Sequence, residues 1–416
     1  MGLTHLIKFS VALGAGILGT LAFAPFNYWW LGLASIAIWM WLSIKHPSFF
    51  IGFIYGLGLF GSGVSWVSVS MTEHGGASIP LAFAMTSIFA AGLAIFPGLA
   101  SWGYASWHHR WSSTLGKVCL LTACWVTMEA FRSWFLTGFP WLLFGYSALN
   151  TPFEGYLSWF GVFGVSAIIA LSAGGFLTSL MDRRLIALII PGVFMVTGPI
   201  LNGQFQPNED PTQATRVALW QPVIAQSEKW KPEFRGRIIE QHVVNGLPAD
   251  AGVIIWPETA LPMTESRVNA ILPDLDLTLL SNGQTLITGV LGQSQGRYTN
   301  RLITLGSGQG TYDKTRLVPF GEYVPLESFL RGLITFFDLP MSAIIPGTQQ
   351  SLLTHGHLKF GPLICYEIAY TGQARQIADD ANVILTVSND TWFGDSIGPD
   401  QHLQIAQIRA RELGKP

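Results

Sequence analysis

Apolar positions run almost unbroken through the first 203 residues, then become short, separated runs over the rest of the chain. A helix needs about 20 apolar residues to cross the hydrocarbon core of a bilayer. The pattern predicts seven such helices, over residues 9–24, 27–44, 49–70, 80–105, 117–134, 157–180 and 184–202. The first also has the outline of a secretory signal, with Lys8 before it and "AFA" at its end. Six further apolar stretches and the aromatics crowding the would-be cleavage site favour a span.

From residue 215 the apolar runs shorten to strand length. "TRVALWQPV", "AGVIIWPET", "QTLITGVLG", "NRLITLG", "LKFGPLICYE" and "ANVILTVSND" predict strands. "PEFRGRIIEQHVVNGL", "TGQARQIADD" and "PDQHLQIAQIRARELG" predict helices between and after them. The alternation predicts an α/β domain with buried strands. "LNGQFQPNEDPTQATR" reads as the boundary. The organisation is therefore a multi-span domain over 1–203, a linker over 204–214 and a second domain over 215–416.

Charge orients the first half. Its seven Lys or Arg are Lys8, Lys45, Arg110, Lys117, Arg132, Arg183 and Arg184, and the other 16 of the 23 follow residue 203. Apart from Arg132, they fall in alternate loops, the cytoplasmic side by the positive-inside rule. An odd number of spans starting inside puts residue 203 onward outside, in the periplasm. The outer segment "FLTGFPWLLFGYSALNTPFEGYLSWFG" is too irregular for a helix in lipid. It is either an aromatic belt or a platform admitting lipid to a site. Glu129 and Arg132, three apart, are either an intramembrane functional pair or a structural clamp.

Composition narrows the function classes. Half of the 416 residues are hydrophobic, 12% are charged, and the net charge of -2 leaves no electrostatic footprint for nucleic acid. Of the three cysteines, Cys119 and Cys124 lie in an apolar helical run and read as packing. Cys365, in "GPLICYEIAY", ends an apolar strand. "VIIWPET" likewise ends in Glu258, and "TYDKTRLVPFGEYVP" carries Lys314 and Glu322. A carboxylate, an ammonium and a thiol at strand ends make a candidate site, because α/β sites form there. A thiol is mostly protonated at neutral pH and needs a base to become a nucleophile. No histidine is read at a strand end, and His355 and His357 read as turn residues. Glu258 is the candidate base, Lys314 the candidate for stabilising an oxyanion, and the Tyr366 N–H a second donor. The alternative is a buried core cysteine among scattered surface charges.

"WPETALP", "YDKTRLVPFGEYVP", "ICYE" and "SNDTWFG" resemble the Glu-Lys-Cys motifs of the nitrilase superfamily. Their long forms, after a multi-span region containing "TGFPWLLFGYS", resemble the bacterial apolipoprotein N-acyltransferases, the membrane-bound branch. The resemblance implies an α-helical membrane bundle followed by an α/β nitrilase-like αββα sandwich. It implies Glu258 as general base, Lys314 as oxyanion stabiliser and Cys365 as nucleophile. Glu322, Tyr366 and Glu367 are implied as supporting residues, and Trp230, Asn300 and Trp392 as substrate-binding ones. Asn389 and Asp390 read as structural neighbours of the site.

The implied reaction moves an acyl chain from a phospholipid, typically phosphatidylethanolamine, through a cysteine thioester. The acceptor is the N-terminal amine of a diacylglyceryl-cysteine lipoprotein. No metal or organic cofactor is implied, and the expected state is a monomer in the bacterial inner membrane. "LESFLRGLITFFDLPM" places Leu330, Leu333, Phe336 and Phe337 on one helical face, either a lid in the interface or a core helix. The chain ends at "RARELGKP", where members of the family continue, so a shortened sandwich is expected. A membrane-anchored amidase on small amides would use the same triad with water as acceptor. An inactive scaffold is the third reading.

Overall fold

The computed structural model describes residues 3–204, 214–294, 296–319, 321–323 and 344–416. These form two compact units. One takes the described residues within Met1–Thr72, Ser78–Gln206 and Asp395–Gly414. The other takes those within Glu73–Ala77, Pro207–Gly394 and Lys415–Pro416. Most of the expected linker, and the segment read as either a lid or a core helix, lie outside the described residues.

In the first unit all seven apolar stretches are helical: Leu3–Thr20, Trp29–Lys45, Phe49–Gly63, Ile79–Trp107, Thr114–Arg132, Leu157–Asp182 and Ile189–Gln204. Four helical stretches are long and apolar enough to cross a membrane, and His5–Thr20 and Trp29–Lys45 are shorter. A fifth span results if the third stretch is counted whole. It was expected to be continuous over 49–70, but it breaks after Gly63 and resumes as Val67–His74 at 56°. The break follows Gly61, Ser62 and Gly63, a run of weak helix formers. Small residues bring the helices together. A Cβ on Gly16 would sit 2.0 Å from the Tyr55 carbonyl oxygen, and one on Gly58 would sit 2.2 Å from that of Leu13. The helices Leu3–Thr20 and Phe49–Gly63 therefore touch backbone to backbone.

The middle of the irregular segment is buried: Trp141, Leu143, Phe144, Tyr146, Phe153 and Tyr156 lie inside the unit, while Phe135, Leu136, Trp159 and Phe160 near its two ends are exposed. Its backbone is satisfied by protein, as irregular chain at membrane depth requires. Arg132 donates to the carbonyls of Phe139 and Trp141. Glu129 accepts from the Phe144 N–H, and the Ser166 hydroxyl from the Gly145 N–H. Glu129 and Arg132 thus act as a clamp on this segment. The C-terminal helix Gly398–Leu413, read from the sequence as part of the second domain, packs in this first unit. Gln401 accepts from the Trp141 indole at 2.6 Å, Gln404 bridges the Ala24 N–H and Asn27, and Arg411 pairs with Glu154 at 2.8 Å.

The second unit holds two sheets. β1 (Val217–Leu219), β2 (Val253–Ile255), β3 (Thr285–Ser294), β4 (Arg297–Gly306) and β5 (Thr311–Asp313) form one in that order. β1, β2 and β3 are parallel, and β4 and β5 continue antiparallel. β6 (Leu353–His355), β7 (Leu358–Ile364) and β8 (Val383–Val387) form the other, with β7 and β8 parallel. Successive strand residues point to opposite faces. Val253, Ile255, Ile287, Leu302 and Tyr312 face Leu353, Phe360, Ile364, Leu385 and Val387 between the sheets. Ile254, Trp256, Leu286, Val290 and Ile303 face outward onto Val268, Leu275 and Leu279 of the helices Glu265–Ile271 and Pro273–Ser281. Helix Thr371–Asp380 lies on the far side of the second sheet, with Ile377 against Gly361 of β7. The layers run helix, sheet, sheet, helix, the αββα sandwich the motifs implied.

Candidate active site

Glu258, Lys314 and Cys365 stand just past the ends of β2, β5 and β7, so both sheets deliver to one place. Each strand ends for a local reason. After β2 the Trp256 N–H donates to Ile287 of β3, and Pro257, the next residue, has no N–H to continue the ladder. After β5 the chain turns away with the Lys314 N–H on the Asn300 carbonyl and the Gly347 N–H on the Lys314 carbonyl, both at 2.8 Å. After β7, Cys365 takes a positive φ of 55° and opens the 3-10 turn Cys365–Ala369. A non-glycine residue in that region is strained and held by its surroundings.

The carboxylates and the ammonium form one network. Lys314 Nζ lies 2.9 Å from Glu322 Oε2 and 3.7 Å from Glu258 Oε1. The Asn300 amide, from β4, donates to Glu258 Oε1 at 2.7 Å and Glu322 Oε1 at 3.1 Å. The Asn389 N–H donates to Glu258 Oε2 at 2.8 Å, and the Val318 N–H to Glu322 Oε2 at 2.8 Å. Burial works against the Lys314 charge, but Glu322 and then Glu258 outweigh it and hold the ammonium well above the ordinary lysine range. At Cys365 burial pushes the thiol far up, Glu258 adds to this, and Lys314 pulls part of the way back. The thiol is therefore protonated at neutral pH, beside a fixed cation and a carboxylate.

Glu367 is wholly buried and braces the site from beneath. Its carboxylate accepts from the Ile364 N–H just before Cys365, and from the Thr315 and Arg316 N–H groups just after Lys314. The Tyr312 hydroxyl and the Gln373 amide complete its shell at 2.9 and 2.8 Å. One side chain thus joins the chain ends that carry the ammonium and the thiol. Tyr366 packs edge-on against Tyr370.

Trp230 directly follows Lys229, and Trp392 stands three residues past Asn389. The His74 ring packs edge-on against Trp392 at 5.1 Å, with its Nε2 3.1 Å from the Thr391 carbonyl. Five residues were missed in the sequence: Gln226, Lys229, Tyr312, Gln373 and His74. Lys229 donates to the Glu258 carbonyl at 3.0 Å, and Gln226 accepts from the Asn389 amide at 2.8 Å. Only their place in "QSEKW", beside Trp230, could have hinted at this. Asn389, read as a neighbour, is a direct partner of Glu258. His355, read as a turn residue, ends β6 and bonds Thr285 at the start of β3, the strand end away from the site.

Residues 15–175 match the family model described as the apolipoprotein N-acyltransferase N-terminal domain, and residues 216–416 match that of carbon-nitrogen hydrolase. Apolipoprotein N-acyltransferase of Pseudomonas aeruginosa PAO1 is 42% identical, over 97% of this chain and 82% of the relative. That of Vibrio vulnificus CMCP6 is 35% identical, over 100% of this chain and 85% of the relative. Among solved structures, an amidase from Nesterenkonia sp. aligns with a TM-score of 0.30 at 18% identity, over 42% of this chain and 64% of that one.

Proposed function

The chain belongs to the apolipoprotein N-acyltransferase family, and from that membership we propose that it acylates lipoproteins through a thioester on Cys365. The donor is a phospholipid, with phosphatidylethanolamine the expected one. The acceptor is the N-terminal amine of a diacylglyceryl-cysteine lipoprotein. The observation that carries the reading is the Glu258–Lys314–Glu322 network held against a protonated thiol.

The chemistry follows from the protonation states. Glu258 takes the proton of Cys365 as Sγ attacks the ester carbonyl carbon. Negative charge moves to the carbonyl oxygen, where the Lys314 ammonium and the Tyr366 N–H stabilise it. The tetrahedral intermediate collapses to the thioester, and Glu258 returns the proton to the departing lysophospholipid oxygen. In the second half Glu258 takes a proton from the lipoprotein amine as it attacks the thioester carbon. Collapse forms the amide, and the proton passes from Glu258 to the Cys365 sulfur. Glu322 and Asn300 keep Lys314 and Glu258 in register, and Trp230 and Trp392 line the approach of the acyl chain. The protein acts as a multi-pass monomer of the inner membrane, with this unit on the periplasmic side.

The membrane-purified protein, incubated with tagged phosphatidylethanolamine, is expected to gain a hydroxylamine-sensitive acyl adduct that Cys365→Ala lacks. An adduct that persists in Cys365→Ala, or none on the unaltered protein, overturns the reading. Ammonia release from small amides without a lipid adduct points to the amidase instead.

A further inference from the structure

Lys229 is a buried cation that the steps above do not use. Its side chain is 5% exposed, and its Nζ donates to the backbone carbonyl of Glu258 at 3.0 Å. Among the described residues no carboxylate lies within ion-pair distance of it. Burial pulls its pKa down to about 8, and the Glu258 charge offsets part of this. Buried lysine without a paired carboxylate is costly, so its position calls for a reason.

The backbone it touches is strained. Thr259 has a φ of 49°, in the left-handed region that a β-branched residue avoids. Such a conformation persists only when its surroundings over-determine it. Two features meet the peptide between Glu258 and Thr259. A Cβ on Gly289 of β3 would lie 2.2 Å from the Thr259 nitrogen and 2.9 Å from the Glu258 carbonyl carbon, so only glycine lets this turn press onto the strand. Lys229 then bonds the carbonyl oxygen of the same peptide. The helical turn Gln226–Lys229 also reaches the carboxylate end of Glu258. Gln226 accepts from the Asn389 side chain, whose backbone N–H donates to Glu258 Oε2.

We propose that Lys229 is a positioning residue, whose bond to the Glu258 carbonyl locks the strained Glu258–Thr259 turn and so holds the base carboxylate between Asn300 and Asn389. It transfers no proton itself. This rests on the reading of Glu258 as the general base in acyl-enzyme formation. It also explains why a lysine is buried here: its stem spans packed chain and its head reaches a carbonyl. Glycine at 259 would adopt the positive φ without strain and would need no lock.

The test is acyl-adduct formation with tagged phosphatidylethanolamine by Lys229→Met, Thr259→Gly and the double variant. Lys229→Met is expected to slow adduct formation about 10- to 100-fold, the range that releasing such strain allows. Its half-saturating donor concentration and the shape of its pH–rate profile stay as in the unaltered protein. Thr259→Gly alone stays within about threefold, and Thr259→Gly/Lys229→Met recovers at least tenfold over Lys229→Met. Lys229→Met at the full rate, a double variant no faster than Lys229→Met, or a pH limb lost with Lys229 each overturns the proposal. No adduct on the unaltered protein would instead sink the acyl-enzyme reading, so the two failures are distinct. Thermal melting of each variant separates loss of fold from loss of position, because a fold defect at Lys229 is not rescued by Thr259→Gly.

Discussion

At the scale of single residues, the site sets a protonated thiol beside a permanent cation. Burial, Glu258 and Asp390 all disfavour the Cys365 thiolate, and Lys314 and the Ser388 hydroxyl favour it. The sum lies far above the ordinary thiol range, so the sulfur is not a standing thiolate of the kind a cysteine–histidine pair maintains. Alkylation of Cys365 by iodoacetamide, followed by mass spectrometry of its peptide, should be slow at pH 7. Because the raised pKa lies beyond the assay range, the rate should climb through pH 9 without a plateau. Lys314→Met removes the favourable cation and should slow it further. A plateau between pH 6 and 8 would mean a preformed thiolate and would remove the need for Glu258. Glu258 and Cys365 were legible in the sequence because each follows an apolar run that stops abruptly, and Lys314 through the motif "YDKTRLVPFGEYVP". Lys229 was not. In "SEKW" it looks like solvated surface charge, and only tertiary packing buries it behind Glu258. His74 was hidden for the same reason, at the end of the helical stretch Val67–His74 in the apolar half, yet grouped with the second unit.

At the scale of elements, β1 to β4, β7 and β8 were readable, even though β1 and β2 are only three residues long, and β5 and β6 were not. β3, β4 and β8 carry β-branched runs that stand out, and β7 ends in the apolar "PLI". β5 and β6 are three residues each, and their pairing with β4 and β7 defines them more than their own composition does. β5 nonetheless sets Lys314. Arg301 of β4 grips Asp313 with two bonds of 2.8 and 2.7 Å, one residue before the lysine. The tie between β5 and β7 is Glu367, whose carboxylate meets only donors. Glu367→Gln turns one oxygen into an NH2 facing those donors. Leaving buried donors unsatisfied in this way costs about 3 kcal/mol. For a unit of this size that should lower the melting temperature by about 6–12 °C. Adduct formation should fall with it, because the Lys314 and Cys365 segments are no longer joined. Melting of the purified variant in detergent checks the point, and an unchanged midpoint would show that the brace is dispensable.

At the scale of the whole molecule, hydropathy located every apolar helix but not which unit each segment joins. Helix Gly398–Leu413 shows why. Its buried face in the first unit includes Gln401, Gln404, Arg409 and Glu412, so no apolar stripe announced its partner. The orientation of the chain rests on a different signal, the basic residues in alternate loops of the first half. That signal and an odd number of crossings are what support the proposal that the second unit lies outside, where the thioester would draw on outer-leaflet phospholipid and meet lipoproteins already exported. Gln293, exposed at the end of β3, is a suitable reporter because it lies in the β3–β4 hairpin and bears on none of the site's bonds. In intact spheroplasts, Gln293→Cys should react with a membrane-impermeant maleimide about as fast as after lysis. The unaltered chain, with Cys119, Cys124 and Cys365, serves as background. Protection of Gln293→Cys until lysis would put the unit in the cytoplasm, reverse the charge-based topology and leave Cys365 facing inner-leaflet lipid instead.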